Sequence, residues 1–149
     1  MPADIKHPVL GTLTFVPDLS AWESKVELDP GCTIDVRLST RMDEEPTRNI
    51  GSLLERGVEM LQWARRNEAS CRARIVDELY ELYSDTWAPE GEMPVPRTEF
   101  LQRITPNALT LDINGSGFFY WADDDLFAGH WIELRFRKDW SISEVGLAG

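Results

Sequence analysis

Apolar residues change their spacing twice along this chain, and that change constrains the fold more than any other feature. In CTIDVRLS, apolar Cys32, Ile34, Val36 and Leu38 alternate with Thr33, Asp35, Arg37 and Ser39. Successive side chains of a strand leave opposite faces, so the segment reads as a half-buried antiparallel strand. From Thr47 the spacing lengthens, and Ile50, Leu53, Leu54, Val58 and Leu61 recur at three- and four-residue steps, as one face of an amphipathic helix does. The last third returns to alternation. There ALTLDI sets Leu109, Leu111 and Ile113 against Thr110 and Asp112, and HWIELRFRK sets Ile132, Leu134 and Phe136 against Trp131, Glu133, Arg135 and Arg137. Strands, then helix, then strands imply the α+β class.

Turn residues divide these runs. VLGTLTFV ends at Pro17 and Asp18, AWESKVEL ends at Asp29-Pro30-Gly31, and with CTIDVRLS they predict a three-strand meander. Gly51 and Gly57 weaken the first helical run by about 1 kcal/mol each relative to alanine, unless a neighbour packs closely there. A second helical run carries Cys71, Ile75, Leu79, Leu82 and Tyr83, with Trp87 beyond; the two are one helix broken near Asn67 or an angled pair. APEGEMPVP reads as a loop, and a helical turn from Thr98 to Arg103 buries Phe100. Asn114-Gly115 is a strong hairpin turn, followed by GFFYWA, the DDDLFAG connection, HWIELRFRK and a last strand in WSISEVGL. The expected architecture is one α+β domain over residues 1–149, a mainly antiparallel sheet of about six or seven strands packed on one face by two central helices.

Charge narrows the partners. The formal charge is -11, from 26 acidic and 15 basic side chains, and this opposes the phosphate lattice of nucleic acid and the surface of an anionic membrane. A basic protein suits that field. Cys32 and Cys71 are far apart and form no CxxC pair, so both are expected as buried thiols. No basic, then apolar, leader opens the chain, and no run approaches the roughly 18 apolar residues of a membrane span, which points to the cytoplasm.

Possible chemistry crowds into DDDLFAGHW, where Asp123, Asp124 and Asp125 stand just ahead of His130. A hard cation takes several oxygen ligands, but consecutive strand residues point to opposite faces, so the three carboxylates converge only if the segment curls. The spacing also departs from the calcium-loop pattern, and zinc lacks further histidines, since His7 is the only other one. Neither a metal nor a cofactor is expected. As a turn, the segment would use aspartates to accept backbone amides, Leu126 and Phe127 to tuck onto the core, and Gly129 to take a left-handed angle. No serine lies in a GxSxG elbow, and Cys71 sits in mid-helix, so no activated nucleophile is visible.

The run Asp124 or Asp125, Leu126, Phe127, Gly129, His130 and Ile132, with Trp87 and Phe100 as weaker supports, resembles a group of small bacterial proteins classed as domain of unknown function 2262. The resemblance covers about the last two thirds of the chain. It implies an α+β fold and no reaction. Two functional readings follow. In the first, the chain is a non-enzymatic binding or accessory protein, immunity-like in kind, engaging a protein partner through Asp123, Asp124, Asp125, His130 and exposed aromatics near Trp121 and Trp131. In the second, those carboxylates and His130 converge in a pocket of a metal-assisted hydrolase or small-ligand-binding protein.

Overall fold

The computed structural model describes residues 2–148. Among them, eight strands form one sheet in sequential order: β1 (Ile5–His7), β2 (Gly11–Val16), β3 (Ala21–Asp29), β4 (Cys32–Ser39), β5 (Thr105–Leu111), β6 (Gly117–Ala122), β7 (Trp131–Phe136) and β8 (Ile142–Ala148). Neighbours are antiparallel except β4 and β5, which run parallel. A parallel pair needs a crossover connection, and the 33-residue helix α1 (Ile50–Leu82) supplies it. A short helix, α2 (Arg97–Arg103), precedes β5.

The α+β class and the mainly antiparallel sheet are as the sequence implies, and two details are corrected. There are eight strands, because β1 is too short to show any alternation; it is turned into β2 by His7, whose Nδ1 accepts the amides of Val9 and Leu10 at 3.0 and 3.1 Å. The two central helices are one. Asn67 does not break α1, since its side chain donates to the Trp63 carbonyl one turn back at 2.9 Å, while Trp63, Ala64 and Cys71 carry the buried stripe across the junction.

At about 1.5 Å per residue, α1 is about 50 Å long and crosses the inner face of the sheet. That face supplies Trp22, Val26, Ile34, Val36, Leu38, Leu109, Leu111, Phe119, Trp121, Ile132, Leu134 and Phe136, all buried. Of the two helical glycines, Gly57 has the close neighbour: an added Cβ would lie 3.1 Å from Leu38 and 3.2 Å from Leu10, whereas Gly51 meets open space. Gly117 is tighter still, because a Cβ there would fall 2.0 Å from the Thr110 carbonyl oxygen. Arginines fix the helix laterally. Arg65 donates to the Leu28 and Glu27 carbonyls of β3. Arg56 stacks on Trp140 at 3.7 Å and donates to the Gly115 and Lys138 carbonyls, and Arg72 reaches Leu101 O and Ile104 O at the end of α2. Cys71 is a buried thiol, as expected, and burial together with Glu68 pushes its pKa up to about 12; Cys32 is only half-buried. Among the described residues no helix is long and apolar enough to cross a membrane.

Candidate functional site

The loop between β6 and β7 does curl. Asp124, Asp125, Ala128 and Gly129 all have left-handed φ angles, of 48°, 62°, 55° and 86°, which non-glycine residues adopt only when their surroundings enforce it. Asp123 is one enforcer. Buried at the mouth of the loop, its Oδ2 accepts the amides of Phe127 at 2.9 Å and Gly129 at 3.0 Å, which satisfies a carboxylate that burial would otherwise penalise. Arg103 of α2 is the second, donating to Asp124 Oδ2 at 2.8 Å and to its carbonyl at 2.7 Å. The third is Phe127, fully buried among Tyr83, Trp87 and Phe100 at ring separations of 5.8–6.1 Å. His130 closes the loop: its Nδ1 donates to the Phe127 carbonyl at 2.7 Å, and its ring meets the edge of Trp87 at 5.2 Å. Trp87 is placed there by a π-helical turn, Tyr83–Trp87, that ends α1.

The acidic run therefore works as a lock between the end of α1, α2 and the sheet. Asp123 faces inward to amides, Asp124 faces Arg103, Asp125 is exposed, and His130 faces Trp87. None of the four lines either of the two cavities described below. Among the described residues, no three His, Cys, Asp or Glu side chains are grouped to hold a metal ion. Trp121 is also corrected. The sequence suggests an exposed aromatic there, yet Trp121 is fully buried beneath α1, where the Arg72 guanidinium lies 5.0 Å from its ring. The phase of GFFYWA comes from its neighbours, since Phe119 pairs with Leu109 and Leu134 and Trp121 with Ile132.

Trp131 is where the exposed aromatic expectation holds, at 45% exposure. It stands on the outer face of the sheet, opposite the face that α1 covers. Cross-strand register lays two rows over that face. One runs Glu23, Arg37, Thr110, Phe118, Arg135, Glu144, and the next runs Lys25, Asp35, Ala108, Tyr120, Glu133, Gly146. Ion pairs occupy both flanks: Lys25 to Asp35 at 2.6 Å, Arg37 to Glu23 at 3.0 Å, and Arg135 to Glu144 at 3.7 Å. Between them Phe118 and Tyr120 stack at 5.6 Å, and a groove of about 400 Å³ lies over the small side chains of Ala108 and Thr110. Tyr120 and Trp131 wall one side, Asp35 and Arg37 the other. Burial, followed by Glu133, raises the Tyr120 phenol above its ordinary pKa. The outward phase of Asp35 and Arg37 is legible in CTIDVRLS, but their proximity to Tyr120 depends on the parallel β4–β5 register, which no local pattern signals.

A second cavity of about 420 Å³ opens where β4 and β5 end and α1 begins. Its lining mixes four cations with three carboxylates, among them Arg48, Arg56, Lys138 and Asp112, so its charge is nearly balanced.

A family model described as an uncharacterized protein conserved in bacteria, DUF2262, matches residues 7–147, well beyond the last two thirds of the chain. No curated protein and no solved structure matches.

Proposed function

The chain belongs to the bacterial family DUF2262, which carries no assigned reaction, and from that premise we infer that it is a non-enzymatic binding domain for a basic protein. The observation that carries this reading is the aromatic groove on the uncovered face of the sheet. Tyr120 and Trp131 offer ring faces there, and Glu133, directly opposite Tyr120, has no ion-pair partner within 4 Å among the described residues. Ring faces beside an unpaired carboxylate are the surroundings an arginine or lysine side chain prefers. The net charge of -11 adds long-range attraction for such a partner, raising the rate of encounter more than the strength of the complex. An accessory or immunity-like role is the finer form of the same reading. The alternative, a metal-assisted site on Asp123 to Asp125 and His130, gains no support from Asp123, Asp124 and His130, whose side chains are spent on separate partners.

The test is titration of isotope-labelled protein with a lysine- and arginine-rich peptide, followed by amide and indole chemical shifts. Shifts should cluster on the outer-face residues of β4, β5 and β6 and on the Trp131 indole. In Trp131→Ala they should vanish while folding stability stays within about 0.5 kcal/mol, the usual range for an exposed site. Shifts scattered evenly over the acidic surface, or unaltered in Trp131→Ala, would refute the groove as the binding site.

A further inference from the structure

The two edges of the sheet are built differently. β1 presents three residues, carries Lys6 and is closed by Pro8. β8 presents seven, and no strand lies beyond it among the described residues. Such an edge leaves a row of backbone donors and acceptors without ladder partners, and proteins commonly blunt it with lysine, proline, a bulge or brevity. β8 contains neither lysine nor proline. Its register irregularity falls at the start, between the pairs Phe136–Ile142 and Arg135–Glu144, so Glu144–Ala148 runs regularly along β7, with no strand on its outer edge among the described residues.

We propose that β8 pairs antiparallel with β8 of a second copy of this chain, about a two-fold axis at Gly146. A two-fold interface brings the same patch from each copy together, so the segment must complement itself. Residues opposed across an antiparallel pair share a face, which restricts the axis to a few positions. An axis at Glu144 would set Glu144 against its own copy. An axis at Val145 would draw in Ser143, which lies at the irregularity. An axis at Gly146 uses all five regular residues: Val145 meets Leu147 of the copy twice on the inner face, and Glu144 meets Ala148 twice on the outer face. Val145 and Leu147 are partly exposed and already pack against the core, so pairing extends that core. On the outer face the row becomes Glu133, Gly146, Gly146 of the copy, Glu133 of the copy, which keeps the two carboxylates three strand spacings, about 14 Å, apart. Glu144 keeps Arg135 beside it. The result is one sixteen-strand sheet with both grooves on one continuous face.

A Cβ at Gly146 meets open space, so substitution there spares the folded chain. Sedimentation equilibrium of the full chain should show a monomer–dimer equilibrium between low micromolar and submillimolar concentration. Gly146→Lys and Gly146→Glu should each weaken dimerisation by about tenfold or more, because either places like charges face to face at the axis. Mixing the two variants should restore a dimer that is one of each by native mass spectrometry. At low concentration circular dichroism should change little, and the melting temperature should hold in Gly146→Lys, which faces Glu133 across the β7–β8 pair, and fall slightly in Gly146→Glu, which sets a second carboxylate opposite it. A wild-type chain that stays monomeric throughout, or either variant dimerising as well as the wild type, would overturn the proposal. A dimer strengthened by Gly146→Lys would also overturn it, since that requires the axis at Val145, with Glu144 opposite residue 146.

Discussion

Phe118 and Phe119 are adjacent on β6 and belong to two different chemistries. Phe119 points inward, fully buried, with Trp121 at 5.0 Å and Trp63 of α1 at 6.2 Å. Phe118 points outward, stacked on Tyr120 and covered by Arg135 at 4.8 Å, with no helix above it. The same alternation thus writes two surfaces into one sheet. The inner one holds α1 through close packing, and the outer one is held by ion pairs and stacked rings that solvent still reaches. Close packing is concentrated on one face, which leaves the other freer to vary its side chains.

The most direct way to break that distinction is to truncate both phenylalanines. Phe119→Ala should cost about 3–5 kcal/mol, the transfer term plus the cavity that a buried ring leaves. Phe118→Ala should cost less than about 1 kcal/mol, the size of one exposed aromatic pair. Urea unfolding of the two variants measures both. Equal costs would mean that the outer rings belong to the core and that the groove is a packing feature.

A second pair sharpens the comparison at the loop that joins the faces. Asp123→Ala removes the acceptor of two amides in a buried place and should cost about 1–3 kcal/mol, since both donors lose their partner. Asp124→Ala breaks an exposed pair with Arg103 and should cost less than about 1 kcal/mol. Hydrogen exchange at Phe127 and Gly129 would report the first loss at the amides themselves, and protection that survives in Asp123→Ala would show that the ring cluster alone closes the loop.

Much of this was legible. In β4, Ile34, Val36 and Leu38 are buried and their intervening neighbours are not, as strict alternation requires. Asn114-Gly115 turns the β5–β6 hairpin, with Gly115 at φ 89°. The family motif, too, could be read as a turn from residue type, because aspartate accepts amides and glycine takes left-handed angles. What could not be read depends on distant partners. GFFYWA has apolar side chains in both phases, so only pairing with Leu109, Ile132 and Leu134 decides that Trp121 is inside. The polar stretch around Asn67 hides the continuity of α1, because Arg65 and Arg72 donate to carbonyls of β3 and of the last turn of α2 and its C-cap Ile104. The parallel β4–β5 pairing, and the groove with it, is made across the 65 residues between Ser39 and Thr105, and nothing local encodes it.

The smallest expected effect tests where the outer face ends. Asp112 continues the outward phase of Ala108 and Thr110, yet it is half-buried beside the cavity at the start of α1. Burial pushes its carboxyl above the ordinary value of 3.8, against the opposite pull of Arg135. A carboxyl whose pKa is raised in the folded state binds its proton more tightly there than in the unfolded chain. Its contribution is therefore unfavourable at neutral pH and is relieved as pH falls through the folded pKa toward 3.8. Asp112→Asn should accordingly stabilise the protein at pH 7, by less than about 0.5 kcal/mol because the group keeps solvent contact. That gain should shrink as the pH approaches 3.8. Denaturant midpoints of both proteins at a series of pH values would trace it. If Asp112→Asn is instead less stable at pH 7, the ionised carboxylate is favoured where it stands, and Arg135 outweighs burial. Asp112 would then belong with the ion pairs of the outer face, and the boundary between the two faces would lie closer to α1.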